Sequence, residues 1–192
     1  PRQIITGQRV AELPRPSVLD PRDERMAASL SRDGRLLITA WNSLIGIKEL
    51  PGGAEPRVFR PPEVPYSIGL SPDAKTLAVG LRTGGVALLD LASGQWRATL
   101  RGQADTESIY CVRFSPDGTV LAASGVDHVI RLWDPATGTL LKALVGHRAE
   151  VVALTFSPDG RTLASASDEQ AVRLWRVASG RELLVLESPS KL

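Results

Sequence analysis

The sequence contains few of the residues that form disulfides or metal centres. Its 192 residues include one cysteine and two histidines. Cys111 alone cannot form a disulfide within the chain, so we expect a reducing location and favour the cytoplasm. These three residues match no zinc-ligand spacing, and we predict no metal site and no cofactor.

An excess of one charge and long apolar runs are also missing. The 23 Lys and Arg residues oppose 21 Asp and Glu residues, which gives a formal net charge of +2. A protein dominated by phosphate contacts would instead carry a concentrated basic patch. No apolar run approaches the roughly 20 residues of a membrane-spanning helix. We therefore predict that neither nucleic acid nor a membrane is a partner.

Turn-forming residues, by contrast, are frequent and regularly spaced. A block similar to Ser-Pro-Asp-Gly starts at Ser31, Ser71, Ser115 and Ser157, at intervals of 40, 44 and 42 residues. A second turn mark ends at Gly53, Gly94, Gly138 and Gly180, at intervals of 41, 44 and 42 residues. Two marks that share one period of about 40 residues indicate an internal structural repeat.

Each block has the chemistry of a tight turn between antiparallel strands. Proline presets φ at the first corner, aspartate can bond the local backbone, and glycine accepts a positive φ. The last repeat has strand-like segments at 151–156, 162–167, 171–176 and 182–186, which we call strands a, b, c and d. Both sides of its strand a are largely apolar, as expected for a sheet packed between two others.

We therefore predict an all-β fold, a β-propeller of four-stranded antiparallel blades. The blades are predicted at 25–60, 65–100, 108–144 and 150–186, and a leading strand d at 8–13 precedes them. An open fan of four blades would expose two apolar faces, so we expect the blades to be part of a larger ring. The alternatives are a closed four-blade ring and self-association into an eight-blade ring.

Two dipeptides mark the last two blades. Trp133-Asp134 ends strand c of blade 3, Gly146-His147 precedes blade 4, and Trp175 ends strand c of blade 4. With these motifs, residues 108–186 resemble the WD-repeat β-propeller family. Blades 1 and 2, within 25–107, are degenerate, because Lys48 and Leu89 occupy the tryptophan position.

The resemblance implies a buried chain of hydrogen bonds in each complete blade, which joins a histidine, a strand b hydroxyl, an acid and the tryptophan. The blade 4 candidates are His147, Ser165 or Ser167, Asp168 or Glu169, and Trp175. Blade 3 offers Ser124, Asp127 and Trp133, but Gln103 replaces its histidine. The same residue types would suit an acid–base dyad with a serine nucleophile. The structural role accounts for them, so we predict no enzyme.

The resemblance also implies a function. Propellers of this family most often hold protein or peptide partners on a rim formed by the d–a connections and the b–c turns. We therefore expect a non-catalytic scaffold for protein–protein interaction. The candidate rim residues are Arg101, Asp105, Glu107, His128, Arg148, Glu150 and Asp168. The alternative is a sensor or regulatory propeller attached to a catalytic domain outside this chain.

Overall fold

The computed structural model describes residues 26–41, 43–51, 55–102 and 108–187. Within these ranges every regular element is a β-strand. The strands are β1 (Met26–Leu30), β2 (Leu36–Trp41), β3 (Leu44–Glu49), β4 (Arg57–Phe59), β5 (Pro65–Leu70), β6 (Thr76–Leu81), β7 (Val86–Asp90), β8 (Trp96–Leu100), β9 (Ile109–Phe114), β10 (Leu121–Gly125), β11 (Ile130–Trp133), β12 (Leu140–Leu144), β13 (Val151–Phe156), β14 (Thr162–Ser167), β15 (Ala171–Arg176) and β16 (Glu182–Glu187). None of the described residues lies in a helix that is long and apolar enough to cross a membrane.

The strands form four separate sheets of four consecutive strands each. Every neighbouring pair within a sheet is antiparallel. The predicted fold of four-stranded antiparallel blades is thereby confirmed. Strands β1–β4, β5–β8, β9–β12 and β13–β16 make blades 1 to 4. The predicted leading strand at 8–13 lies outside the described residues.

The repeated turn between strands a and b is closed by its serine and its aspartate. In blade 3, the Ser115 hydroxyl donates to Asp117 Oδ1 at 2.6 Å and accepts from the Val120 amide at 2.9 Å. Asp117 also accepts from the Thr119 amide at 3.0 Å. The same bonds recur at Ser31, Ser71 and Ser157. Together, and led by the serine hydroxyl, they lower the pKa of each turn aspartate.

Three apolar seams join the blades in chain order. Each blade has a leading face toward the preceding blade and a trailing face toward the following one. One leucine of strand b recurs on the leading face, because Leu77, Leu121 and Leu163 are all fully buried in the seam with the preceding blade. The trailing faces of blades 1 to 3 supply the residues that pack in the same seams as these leucines. They include Ile38, Ala78 and Ala122.

The four blades form an open arc. Strand a is the common element of the seams, because β5 packs on β1, β9 on β5 and β13 on β9. Among the described residues, no comparable packing joins β13 back to β1. The closed four-blade ring, one of the three arrangements considered from the sequence, is therefore not the arrangement in this structure.

The seam between blades 2 and 3 leaves no room at Gly80. A Cβ at this position would lie 2.9 Å from the Ile109 carbonyl oxygen and closer still to Ser67 Oγ. The Ser67 hydroxyl donates to that same carbonyl at 3.0 Å. We predict that Gly80→Ala lowers the free energy of unfolding by about 1–3 kcal/mol, because overpacking displaces the neighbouring strand. Urea unfolding would measure the change.

The matched control is Ala98→Ser, which also adds a single heavy atom but at an exposed position on β8. It should stay within about 0.5 kcal/mol of the wild type. Equal stability of the Gly80→Ala protein and the control would contradict the packing described for this seam.

Candidate partner-binding rim

A chain of hydrogen bonds runs through blade 4. His147 Nε2 lies 2.6 Å from Ser165 Oγ, and Trp175 Nε1 donates to the same oxygen at 2.8 Å. On the other side of the ring, His147 Nδ1 lies 2.6 Å from Glu169 Oε1. Since a carboxylate only accepts, Nδ1 carries a proton. With the ring neutral, Ser165 donates to Nε2 and accepts from Trp175.

The structure thus brings together one serine and one acid from the two pairs named in the sequence. Ser167 instead donates its hydroxyl to the Ala149 carbonyl at 3.0 Å. Asp168 is exposed, and its backbone amide donates to the Glu150 carbonyl at 3.0 Å. Both residues therefore hold the connection before β13 rather than the tryptophan.

Glu169 links this chain to the loop that precedes blade 4. Its second oxygen, Oε2, accepts from the Arg148 amide at 3.0 Å, and Arg173 Nε lies 3.5 Å from Oε1. Burial of this carboxyl opposes ionisation, but the bonds from His147 and Arg148 and the charge of Arg173 outweigh it. The pKa of Glu169 is therefore lowered, and the ionised carboxylate is the form that the fold stabilises.

Blade 3 does not assemble the same chain. The Ser124 hydroxyl donates across the seam to the Val151 carbonyl at 3.1 Å, and Asp127 forms an ion pair with Arg131. Trp133 is buried in the apolar seam with blade 2. Among the described residues, no hydrogen bond connects these three candidates to one another. This difference accompanies the replacement of the histidine by Gln103 in the sequence, a residue that lies outside the described ranges.

The rim itself is built from one backbone bond that recurs in three blades. The residue that begins each b–c turn donates its amide to the d–a connection of the same blade. These bonds are Arg82 to Val64 at 3.0 Å, Val126 to Ser108 at 3.2 Å and Asp168 to Glu150 at 3.0 Å. In these three blades the two loops are therefore fastened to one another.

A β-bulge follows each of these bonds. The register of strand a shifts at Tyr66 in blade 2, at Tyr110 in blade 3 and at Val152 in blade 4. Bulges redirect the side chain of the inserted residue. Tyr66 and Tyr110 are both half-buried, and their rings stack with centroids 5.3 Å apart and planes at 22°. Two adjacent strands thus present one continuous aromatic platform at the rim.

The structure describes five of the seven sequence-predicted rim residues. Arg101 pairs with Glu63 at 3.4 Å, and His128 occupies the b–c turn of blade 3 with a φ of 63°. Arg148, Glu150 and Asp168 lie together at the blade 4 end of the rim. Asp105 and Glu107 lie outside the described residues. Sequence reasoning missed Tyr66, Tyr110 and Glu63, although the two tyrosines are one repeat apart.

Residues 94–134 and 138–176 match the sequence model of the family described as WD domain, G-beta repeat. This chain carries WD40 repeats. The resemblance seen in the sequence is thereby confirmed. The first WD40 repeat contains β8 to β11 and the second contains β12 to β15. Each therefore supplies strand d of one blade and strands a, b and c of the next.

Three curated relatives are similar in sequence to part of this chain. Transcription factor unc-37 of Caenorhabditis elegans is 37% identical over 71 residues, which are 37% of this chain and 11% of the relative. The serine-threonine kinase receptor-associated protein of Gallus gallus is 26% identical over 106 residues, 55% of this chain and 30% of the relative. The WD repeat-containing protein SL1-17 of Schistosoma mansoni is 32% identical over 128 residues, 66% of this chain and 38% of the relative. The chain therefore spans less than half the length of these relatives.

Loss of the shared hydroxyl in the second WD40 repeat should be costly. Ser165→Ala leaves the Trp175 N–H and His147 Nε2 buried without their partner. We predict a decrease of about 1–3 kcal/mol in the free energy of unfolding, measured by urea denaturation. The control is Ser179→Ala, which removes a hydroxyl from an exposed turn. A similar effect of both variants would contradict a structural role for the chain.

The lowered pKa of Glu169 predicts a dependence on pH. A carboxyl with a lowered pKa stabilises the fold above its unfolded pKa of about 4.3, and this contribution is lost as the pH falls through the folded value. We expect wild type to be more stable than Glu169→Gln at neutral pH, with a gap that narrows on acidification. Thermal unfolding of both proteins from neutral to acidic pH would measure the gap. A gap that is constant with pH would contradict the assignment.

Proposed function

We propose that this chain is a non-catalytic scaffold that binds a peptide segment or loop of a protein partner on its rim. The observation that carries the proposal is the stacked pair Tyr66 and Tyr110, held on successive bulges at the end where the d–a connections meet the b–c turns. Tyrosine is enriched among the residues that dominate binding energy, because it presents a large rigid surface with a polar tip.

The surroundings of the platform suit a partner with polar as well as apolar groups. Glu63 lies three residues before Tyr66 and holds an ion pair with Arg101 through only one of its two carboxylate oxygens. Its other oxygen, Oε2, is buried and has no hydrogen-bond partner among the described residues. Charges of both signs at a rim give specificity and register rather than bulk affinity.

The family supports this role. Proteins with WD40 repeats are generally interaction proteins. One relative is named for its association with a kinase receptor. A protein-binding role for this chain is in keeping with both facts.

The residues that resemble a catalytic set form buried hydrogen bonds with one another inside blade 4. Ser165 is only 1% exposed, and it already bonds His147 and Trp175. A nucleophile needs access to its substrate, which this hydroxyl lacks. The thiol of Cys111 is also buried, and burial raises its pKa, which disfavours the reactive thiolate.

Cytoplasmic location stays a prediction from the single cysteine.

The test compares partner capture by wild type with capture by the Tyr66→Ala/Tyr110→Ala double variant. Proteins retained by the immobilised chain are identified by quantitative mass spectrometry, and the affinity of a retained partner is then measured by calorimetry. We expect the double variant to weaken binding by about 30-fold or more, as for truncation of dominant interface residues. The chain should otherwise keep its fold.

The matched control is Arg32→Ala/Arg161→Ala, at exposed positions on the a–b turns at the opposite end of the blades. This variant should bind the partner as wild type does. Equal binding by wild type and the tyrosine variant, or an equal loss in the control, would overturn the proposed location of the site.

A further inference from the structure

Glu63 is an incompletely bonded carboxylate next to the tyrosine platform. Its Oε1 lies 3.4 Å from Arg101 Nη2, longer than the about 2.7–2.9 Å of a strong charged hydrogen bond. Its Oε2 is buried and accepts no hydrogen bond from any described residue. A carboxylate can accept several bonds at its two oxygens, and a buried acceptor without a donor costs free energy. A partner group that donates to Glu63 is therefore favoured at this position.

Three loops hold Glu63 and the two tyrosines in one corner of the rim. The Arg82 amide, in the b–c turn of blade 2, donates to the Val64 carbonyl at 3.0 Å. The Ser108 hydroxyl, in the next d–a connection, donates to the Arg82 carbonyl at 2.8 Å. Glu63 is adjacent to Val64, and Ser108 lies two residues before Tyr110. The backbone segments that carry the carboxylate and the platform are thus fastened together before a partner binds.

The corner is accessible from solvent. The Glu63 side chain as a whole is 30% exposed. The terminal torsion of a glutamate side chain is broad, so its carboxylate can turn toward a donor at the surface. Tyr66 and Tyr110 are half-buried and present part of each ring. A partner therefore meets a negative charge and an aromatic surface side by side.

We infer that the partner segment places an arginine side chain in this corner, with its guanidinium against the tyrosine platform and its N–H groups on the Glu63 carboxylate. The inference rests on the proposed function, because it gives the chemistry of the segment that the platform binds. A guanidinium is planar, so it stacks on aromatic surface and offers a fork of donors that matches two carboxylate oxygens. A lysine supplies only a point charge, and a neutral donor forms a weaker bond.

An acidic segment is the alternative, because Arg82 and Arg101 lie in the same corner. Two observations favour the cation. The Arg101 side chain is 47% exposed and already faces an acid, whereas Glu63 Oε2 is buried with no donor among the described residues. The face of an aromatic ring is also negative, so the platform attracts a cation rather than a carboxylate.

The platform carries its own spectroscopic probe. The sequence has two tyrosines, Tyr66 and Tyr110, so labelling with 3-fluorotyrosine gives fluorine NMR signals from the platform alone. The labelled chain is titrated with acetyl-Gly-Arg-Gly amide, and with the same peptide in which citrulline, lysine or aspartate replaces arginine. We expect a saturable shift with the arginine peptide. The citrulline peptide should bind about tenfold more weakly or worse, because it keeps the planar shape but lacks the charge.

Four results of this titration would overturn the inference. They are no shift with the arginine peptide, equal binding of the citrulline peptide, equal or tighter binding of the lysine peptide, and tighter binding of the aspartate peptide.

Variants assign the charge that is recognised. Glu63→Gln should weaken binding of the arginine peptide by about tenfold or more. The matched control is Glu49→Gln, the same change at an exposed position at the opposite end of blade 1, which should bind as wild type does. Arg101→Gln should bind the arginine peptide at least as tightly, because it removes a competing cation. A loss of binding in Arg101→Gln, or none in Glu63→Gln, would contradict the assignment.

The partner-capture experiment separates this inference from the proposed function. Loss of capture by Tyr66→Ala/Tyr110→Ala together with full capture by Glu63→Gln would overturn the arginine assignment and leave the platform as the binding site. Full capture by the tyrosine variant would overturn the proposed site and the inference with it. Circular dichroism verifies that each variant is folded.

Discussion

Burial of one blade face against the next is the interaction on which the rest of this structure depends. A four-stranded sheet that is apolar on both faces cannot cover itself, and the effect that drives its burial scales with the apolar area removed from water. Blade 2 satisfies this constraint completely, because Leu77 and Val79 face blade 1 while Ala78 and Val86 face blade 3. Among the described residues, blade 1 packs on blade 2 and blade 4 packs on blade 3 through the same kind of seam.

The repeating turn explains why so much of this fold could be predicted from the sequence. A tight turn between antiparallel strands is recognisable from the few residues that form it. Its recurrence at a regular interval divides the chain into units of similar length. The contribution of the serine was not predicted. Its hydroxyl accepts from the amide of the residue five positions later, and the sequence alone does not specify the turn geometry that brings these two groups together. Ala74 takes the glycine position of blade 2 with a φ of 55°, which indicates that the serine and aspartate bonds hold the turn without glycine.

Other details depend on register, which the sequence leaves open. Ser165 and Ser167 lie two residues apart and so point to the same side of β14, and only the position of the His147 ring selects Ser165. The tyrosine platform could not be predicted from the sequence for a related reason. Alternation predicts which side chains face the neighbouring blade, but a bulge inserts one residue and interrupts that count. The orientation of Tyr66 and Tyr110 therefore could not be inferred from period-two patterning.

The comparison of blades 2 and 4 indicates what the polar chain contributes. At the position of Trp175, blade 2 has Leu89, which is fully buried without any polar partner. Apolar packing alone therefore suffices for the seam, in agreement with the small net gain of about 1 kcal/mol from a typical hydrogen bond. What apolar packing cannot do is fix a loop, because it has no direction. The chain ending at Glu169 also binds the Arg148 amide, so it sets the position of the connection that forms the rim of blade 4. In this chain the buried polar groups thus shape the rim of blade 4, while the leucines hold the blades together.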